Sequence, residues 1–162
     1  KPLGTGLVLA AKGDVAEAAR WMTTLNAAAA EALRPFSPNA VTDVTGFGLL
    51  GHAHEMAERS GVRIRVRAGA LPALDGALEA ARAGVRTGGD PRNRDFAAPH
   101  VESDGVPDDL LALAYDAQTA GGLLVSLPAE KSFSLEAEFA RRELFVARIG
   151  AVEAGAGVVL EP

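Results

Sequence analysis

The sequence has no cysteine, which removes disulfides, thiolate metal sites and a cysteine nucleophile from these residues. Aromatic residues make up only 5% of the chain, with one Trp and one Tyr, so the core must be light and largely aliphatic, with Ala dominant. Basic charge is scarce as well. Three lysines join thirteen arginines against 21 acidic residues, for a net charge of −5. A nucleic-acid domain usually shows a basic patch or stripe, so that class and that partner are set aside. The cluster RTGGDPRNRD at 86–95 is the local exception. No apolar run approaches the ~20 residues of a membrane helix, and no signal peptide is visible. The expected location is cytoplasmic, with no membrane partner.

What is present suits one domain. A chain of 162 residues buries about 68–70% of its unfolded surface. Eighteen glycines announce turns and close backbone approaches. The chain opens KPLGTG and ends VVLEP, which reads as a domain cut from a longer protein.

The patterning alternates between strand and helix. LGTGLVLAA at 3–11 reads as a buried strand entered through a glycine turn. Asp14 is placed as the N-cap of a helix over about 15–33, which Pro35 stops. AVTDV at 40–44 is a short strand, and a helical pattern runs from Phe47 until Gly61 closes it. VRIRVRA at 62–68 alternates strictly, with Val62, Ile64 and Val66 inward and three arginines outward. A helix near 74–83 follows. Residues 85–106 read as a long functional or disordered loop. VPDDLLALAYD gives a helix, AGGLLVSLP at 120–128 a strand, 129–143 an amphipathic helix, and LFVARIGAV and GVVLEP two closing strands. This order implies an α/β or α+β fold with a mixed sheet covered by helices.

The chemistry concentrates in TDVTGFGLLGH at 42–52. Asp43 falls at the end of a strand, where ligands gather in open α/β sheets. Gly46 and Gly48 let a ligand approach the backbone, and the following helix N-terminus attracts an anion. A carboxylate beside an anion site is repulsive unless a cation lies between them. Mg²⁺ takes one or two carboxylates together with phosphate oxygens. The arrangement therefore suggests Asp43 as a metal ligand and the Thr45–Gly48 backbone as a phosphate cradle. The alternative stays open at this point: Asp43 or Thr45 caps a helix, and the glycines merely permit a turn. YDAQTAGGLL at 115–124 has the same grammar, with Asp116, Gln118 and Thr119 ahead of paired glycines; a plain turn into a buried strand explains it equally. Arg86, Arg92 and Arg94 with Asn93 suit phosphate or a solvated loop. His52 and His54, two apart on a helix, point to different faces and cannot chelate one ion together. No serine has a nucleophile-elbow context.

Taken in order, KPLGTG, the Met22–Asn26 run, TDVTGFGLLGH, the GG…RN segment at 88–93 and DAQTAGGLL resemble selenophosphate synthetase, within the wider aminoimidazole ribonucleotide synthetase-like superfamily. The resemblance spans nearly the whole chain. It implies an α+β domain, a three-layer α/β/α sandwich with a mixed sheet, forming the C-terminal half of a two-domain enzyme. That family converts ATP, selenide and water to selenophosphate, AMP and phosphate, with Mg²⁺ bridging the ATP phosphates. The missing N-terminal domain supplies most nucleotide contacts and the reactive Cys or selenocysteine, so no catalytic residue is expected here and the fragment alone should be inactive. The Asp of the central motif carries over to Asp43 as a metal ligand. Thr45, Gly46, Gly48, Asn93, Gln118 and Thr119 carry over as residues of the ATP phosphate pocket. The full-length protein is expected to form a homodimer. The family usually reads DPQTSGG where this chain has Ala117 and Ala120, which weakens the transfer of Asp116, Gln118 and Thr119. The competing readings are another ATP-using member of the superfamily, such as an aminoimidazole ribonucleotide synthetase-like or hydrogenase-maturation dehydratase-like enzyme, and a non-catalytic assembly module.

Overall fold

Gly4 turns the backbone at φ 107° and starts helix α1, Thr5–Ala11. A computed structural model describes residues 1–13 and 15–162, and it replaces the strand expected at 3–11 with this helix. Only Leu3 pairs in β fashion, its N–H donating to Pro72 O and its carbonyl accepting from Leu74 N–H. The reason lies far along the chain. Asp116 Oδ2 accepts the N–H groups of Gly6 and Leu7, and Gln118 Oε1 accepts those of Gly4 and Thr5. The N–H groups a helix leaves unpaired in its first turn are thus satisfied by residues over a hundred positions away, and no local pattern records that.

The helix expected over 15–33 is two helices, α2 (Ala16–Thr23) and α3 (Ala27–Leu33). Thr23 and Thr24 donate their hydroxyls back to Ala19 O and Arg20 O, a competition that disfavours continuation. Asn26 ties the break to Gly121 O at 3.0 Å. Asp14, expected as the N-cap, lies outside the described residues. Strand β1 (Ala40–Asp43) and helix α4 (Gly48–Ser60) fall where the patterning puts them, and Gly61 closes α4 at φ 63°. Strand β2 (Arg63–Arg67) buries Ile64 and Val66. Helix α5 is Ala77–Arg82.

The long loop expected at 85–106 holds helix α6 (Asp90–Ala97), a single 3₁₀ turn and the two-residue strand β3 (Val101–Glu102). Its composition is poor for a helix interior, yet Pro91 sits in the first turn, where its missing N–H costs nothing. Helix α7 (Asp108–Tyr115), strand β4 (Leu123–Ser126), helix α8 (Ser132–Arg141) and strands β5 (Gly150–Glu153) and β6 (Gly157–Glu161) complete the order. The strand expected from residue 144 starts only at Gly150. Leu144 is held by α8 instead, its N–H donating to Phe139 O after the positive-φ residue Glu143.

The strands form two sheets rather than one. A four-stranded mixed sheet has the order β3-β6-β2-β5, with β6 parallel to its two neighbours and β5 antiparallel to β2. Val158, Leu160, Ile64 and Val66 face the main core under α4. On the other face Arg65 forks between Glu153 and Glu161, Arg63 lies 3.8 Å from Glu102, and Arg67 donates to Arg148 O. The second sheet is the antiparallel ribbon β1-β4. Leu124 packs toward the main core, while Leu123 and Val125 meet Leu33, Leu135 and Phe139 of α3 and α8. The ribbon therefore lies between helices on both faces, and the α+β class with helix–sheet–helix layering stands.

Candidate functional site

Register places the central motif beside the paired glycines. Asp43 is opposite Leu123, and the ladder continues one step further as Val44 N–H donates to Gly122 O at 2.8 Å. Val44 is buried at 4%. Asp43, the last residue of β1, turns the other way, while Thr45, past the strand end, is half-buried with its hydroxyl on His52. Asp43 is exposed at the strand end. Thr45 O then accepts from both Gly48 N–H and Gln118 N–H at 3.0 Å, which joins the two glycine-containing segments at one point.

The two glycines of the motif differ. Gly48 has φ 69°, and a Cβ there would stand 2.7 Å from Tyr115 O. It is required by the fold. Gly46 is exposed and would meet nothing within 4 Å. The space in front of Gly46 is the open part of the motif, and it adjoins the half-exposed rings of Phe47 and Phe96, stacked at 5.0 Å.

Asn93 and Gln118 are brought to this place but face inward. Asn93, 4% exposed, donates to both Gly46 O and Tyr115 O at 2.9 Å. Gln118, also 4% exposed, donates to Asp116 O at 2.8 Å and accepts from the start of α1. Both amides hold the walls of the site; neither points its side chain to solvent. Thr119 is exposed, with its N–H on Thr5 Oγ1 at 3.1 Å. Asp116, 1% exposed, has its carboxyl pushed up to about 6 by burial, which the N–H groups of Leu7, Gln118 and Gly6 only partly offset. Of the arginines considered for phosphate, Arg86 is tied to Ala81 O, Val85 O and Asp108. Arg94 pairs with Asp90 and lies over the Tyr115 ring. Arg92 is exposed.

The histidines take unexpected positions. His54 stacks flat on His100 at 4.0 Å. His52 sits between Glu55 and Thr45, 3.2 Å from each. The spacing of His52 and Glu55, three apart on one helix, marks them as neighbours; the link back to Thr45 has no such signal. Among the described residues no group of three or more His, Cys, Asp or Glu is placed to hold a metal. What the chain offers a hard cation is the exposed Asp43 carboxylate, three residues before the open Gly46 backbone. That donor suits Mg²⁺, and one carboxylate leaves most of an octahedral shell to water or other groups.

The described chain contains no helix long and apolar enough to cross a membrane. The model of the family described as AIR synthase related protein, C-terminal domain, matches residues 4–161. The chain belongs to that family. It is 41% identical over 160 residues to a protein named selenide, water dikinase from Trichlorobacter lovleyi, covering 94% of this chain and 46% of that protein. It is 42% identical over 142 residues to selenide, water dikinase 2 of Peptoclostridium acidaminophilum, covering 83% and 41%. The chain thus spans about half the length of the curated relatives it matches. Among solved structures, thiamine-monophosphate kinase from Stenotrophomonas maltophilia shares the fold at TM-score 0.67 and 22% identity, covering 98% of this chain and 47% of that one. E. coli HypE does so at TM-score 0.66 and 17% identity, covering 98% and 44%. In both cases the likeness concerns the fold alone.

Proposed function

We propose that this chain is the C-terminal domain of an ATP-dependent selenophosphate synthetase, which converts selenide, ATP and water to selenophosphate, AMP and phosphate. The observation that carries the reading is Asp43: an exposed carboxylate at a strand end, three residues before the open backbone of Gly46. The extended identity to selenide, water dikinases over 94% of the chain adds the reaction class. In this reading Asp43 contributes one ligand to a Mg²⁺ ion, and the backbone of Thr45, Gly46 and Gly48 lines the ATP phosphates. Thr119 borders that pocket, while Asn93 and Gln118 keep its walls in place. Bound there, Mg²⁺ neutralises phosphate charge.

The remaining ligands and the reactive group come from an N-terminal half of the same protein. The full-length enzyme works as a cytoplasmic homodimer with selenide and ATP as its substrates, and the fragment alone turns over no ATP. In the full-length protein, Asp43→Asn should abolish selenide- and ATP-dependent product formation, followed by phosphorus NMR, while leaving the unfolding midpoint unchanged. Turnover near that of the wild type in this variant overturns the assignment.

A further inference from the structure

The turn that leads into β4 is braced against the central motif. A Cβ on Gly121 would stand 2.1 Å from Val44 O, Gly122 O accepts the Val44 N–H at 2.8 Å, and Gly121 O accepts from Asn26 Nδ2 at 3.0 Å. The main chain of Lys1 lies on the same turn, since a Cβ on Gly122 would stand 2.5 Å from Lys1 N. From that root the side chain reaches along the turn, and Nζ donates to Ala120 O at 2.6 Å. With ordinary peptide dimensions, these contacts hold the ammonium within about 9 Å of the carbonyl oxygen of Val44, the residue next to Asp43.

An ammonium has three N–H donors, and Ala120 O takes one. The charge itself has no match. No carboxylate among the described residues pairs with Lys1, and burial alone acts on its ammonium, lowering the pKa. The arginines that suit phosphate by type are engaged elsewhere: Arg86 by Ala81 O, Val85 O and Asp108, and Arg94 by Asp90 and the Tyr115 ring. Lys1 is only half-buried, and Thr119 and Ala120 are exposed, so the turn opens to solvent on the side of the lysine stem. A compact cation fixed by its stem, with donors left over, suits a phosphate oxygen. We propose that the Lys1 ammonium contacts a phosphate group of the nucleotide whose Mg²⁺ Asp43 holds. The contact rests on the Mg–ATP reading of Asp43, and it adds a positive charge from this half of the protein that neither Arg86 nor Arg94 is free to give. A lysine and a metal ion share the neutralisation of phosphates in other nucleotide sites.

The test uses the full-length protein, with a non-hydrolysable ATP analogue and Mg²⁺ as the probe. Lys1→Met keeps the stem and removes the charge. Calorimetry should show the analogue bound about ten- to a hundred-fold more weakly, the scale of a lost charged hydrogen bond. A second readout separates contact from bracing. In protein labelled with ¹⁵N-lysine, the Lys1 ammonium, assigned by its loss in Lys1→Met, should titrate at a higher pH once the analogue is bound, because an adjacent phosphate favours the charged form. Analogue affinity in Lys1→Met within about two-fold of the wild type, with weakened binding in Asp43→Asn, overturns the Lys1 contact and leaves the Asp43 reading standing. An ammonium that titrates at the same pH with and without the analogue also overturns the contact, and assigns any loss in Lys1→Met to the shape of the turn. Absence of analogue binding in the wild type overturns both.

Discussion

Gly48 and Tyr115 are in backbone contact: a Cβ on Gly48 would stand 2.7 Å from the Tyr115 carbonyl oxygen, and Gly48 itself has φ 69°. One end of the central motif is therefore pressed against the end of α7, while Gly46, two residues earlier, faces open space. Two glycines that look equivalent in TDVTGFG have opposite reasons to exist.

The pair gives a direct experiment. Gly48→Ala adds left-handed backbone strain of about 1–2 kcal/mol and a clash with main chain that cannot move aside, so a loss of about 2–4 kcal/mol is expected. Gly46→Ala should change stability by less than about 0.5 kcal/mol. In the full-length protein the same Gly46→Ala change should raise the KM for ATP, because the added methyl enters the space assigned to phosphate. Chemical denaturation and steady-state kinetics on the two variants separate these roles. Equal destabilisation by both contradicts the distinction.

Asn93 gives a second experiment. Its amide bridges Gly46 O and Tyr115 O while 4% exposed. Asn93→Ala leaves two carbonyls without their donor and opens a small void. A loss of about 2–3 kcal/mol is expected, read as a lower denaturant midpoint with an unchanged slope. Asn93→Asp should be worse still, since it turns the donor into a carboxylate aimed at two carbonyl oxygens. Little effect from either would show that the bridge does not hold the loop.

How much of this was legible depends on where each residue finds its partner. Ile64 and Val66 alternate with arginines, and their strand is visible because both faces declare themselves locally. The α4 helix is legible for the same reason: its apolar spacing and Gly61 stop lie within one segment. The α1 helix was not, because Asp116 and Gln118 cap it from the far side of the chain. The α6 helix was hidden by Gly, Pro, Asp and Arg, residues that read as loop until Pro91 is seen at a first turn. At the site, the motif marked Asp43 and the glycine spacing. It did not reveal that Asn93 and Gln118 face inward, since an amide that binds ligand and one that braces a loop have the same letter. Nor did it reveal the Thr45–His52–Glu55 chain, which needs α4 folded back against the strand end.

Ala120 tests the departure from the usual family residues. It has φ 49°, a left-handed conformation that costs a non-glycine residue roughly 1–2 kcal/mol. Lys1 Nζ donates to its carbonyl at 2.6 Å, which keeps the turn in this form. Ala120→Gly relieves the strain but gains chain entropy in the unfolded state of about 0.5–1 kcal/mol. The net change should be a stabilisation of roughly 0.5 kcal/mol. A thermal unfolding comparison checks the sign, and clear destabilisation would mean that the methyl group makes a contact worth more than the strain.

Asp116 links the fold to pH. Burial raises its carboxyl from an ordinary value of 3.8 to about 6, with the nearby Asp90 charge acting in the same direction. The native state therefore holds a proton that the unfolded chain releases between these two values. Stability from this group is complete below pH 3.8 and is lost as pH rises through about 6. The total is about 3 kcal/mol, taking 1.36 kcal/mol per unit. Asp116→Asn keeps an oxygen for the N–H groups of Gly6 and Leu7 and removes the titration. The stability of the Asn variant relative to the wild type should therefore rise steadily from pH 4 to pH 6.5 and level off above it. Measuring the difference between the two proteins cancels the titration of the exposed carboxylates that both share. A difference that stays flat across this range would mean that Asp116 titrates near its ordinary value, and that water or an ion relieves the burial. A difference that falls instead would mean that the ionised carboxylate gains more from its three N–H donors than burial takes away.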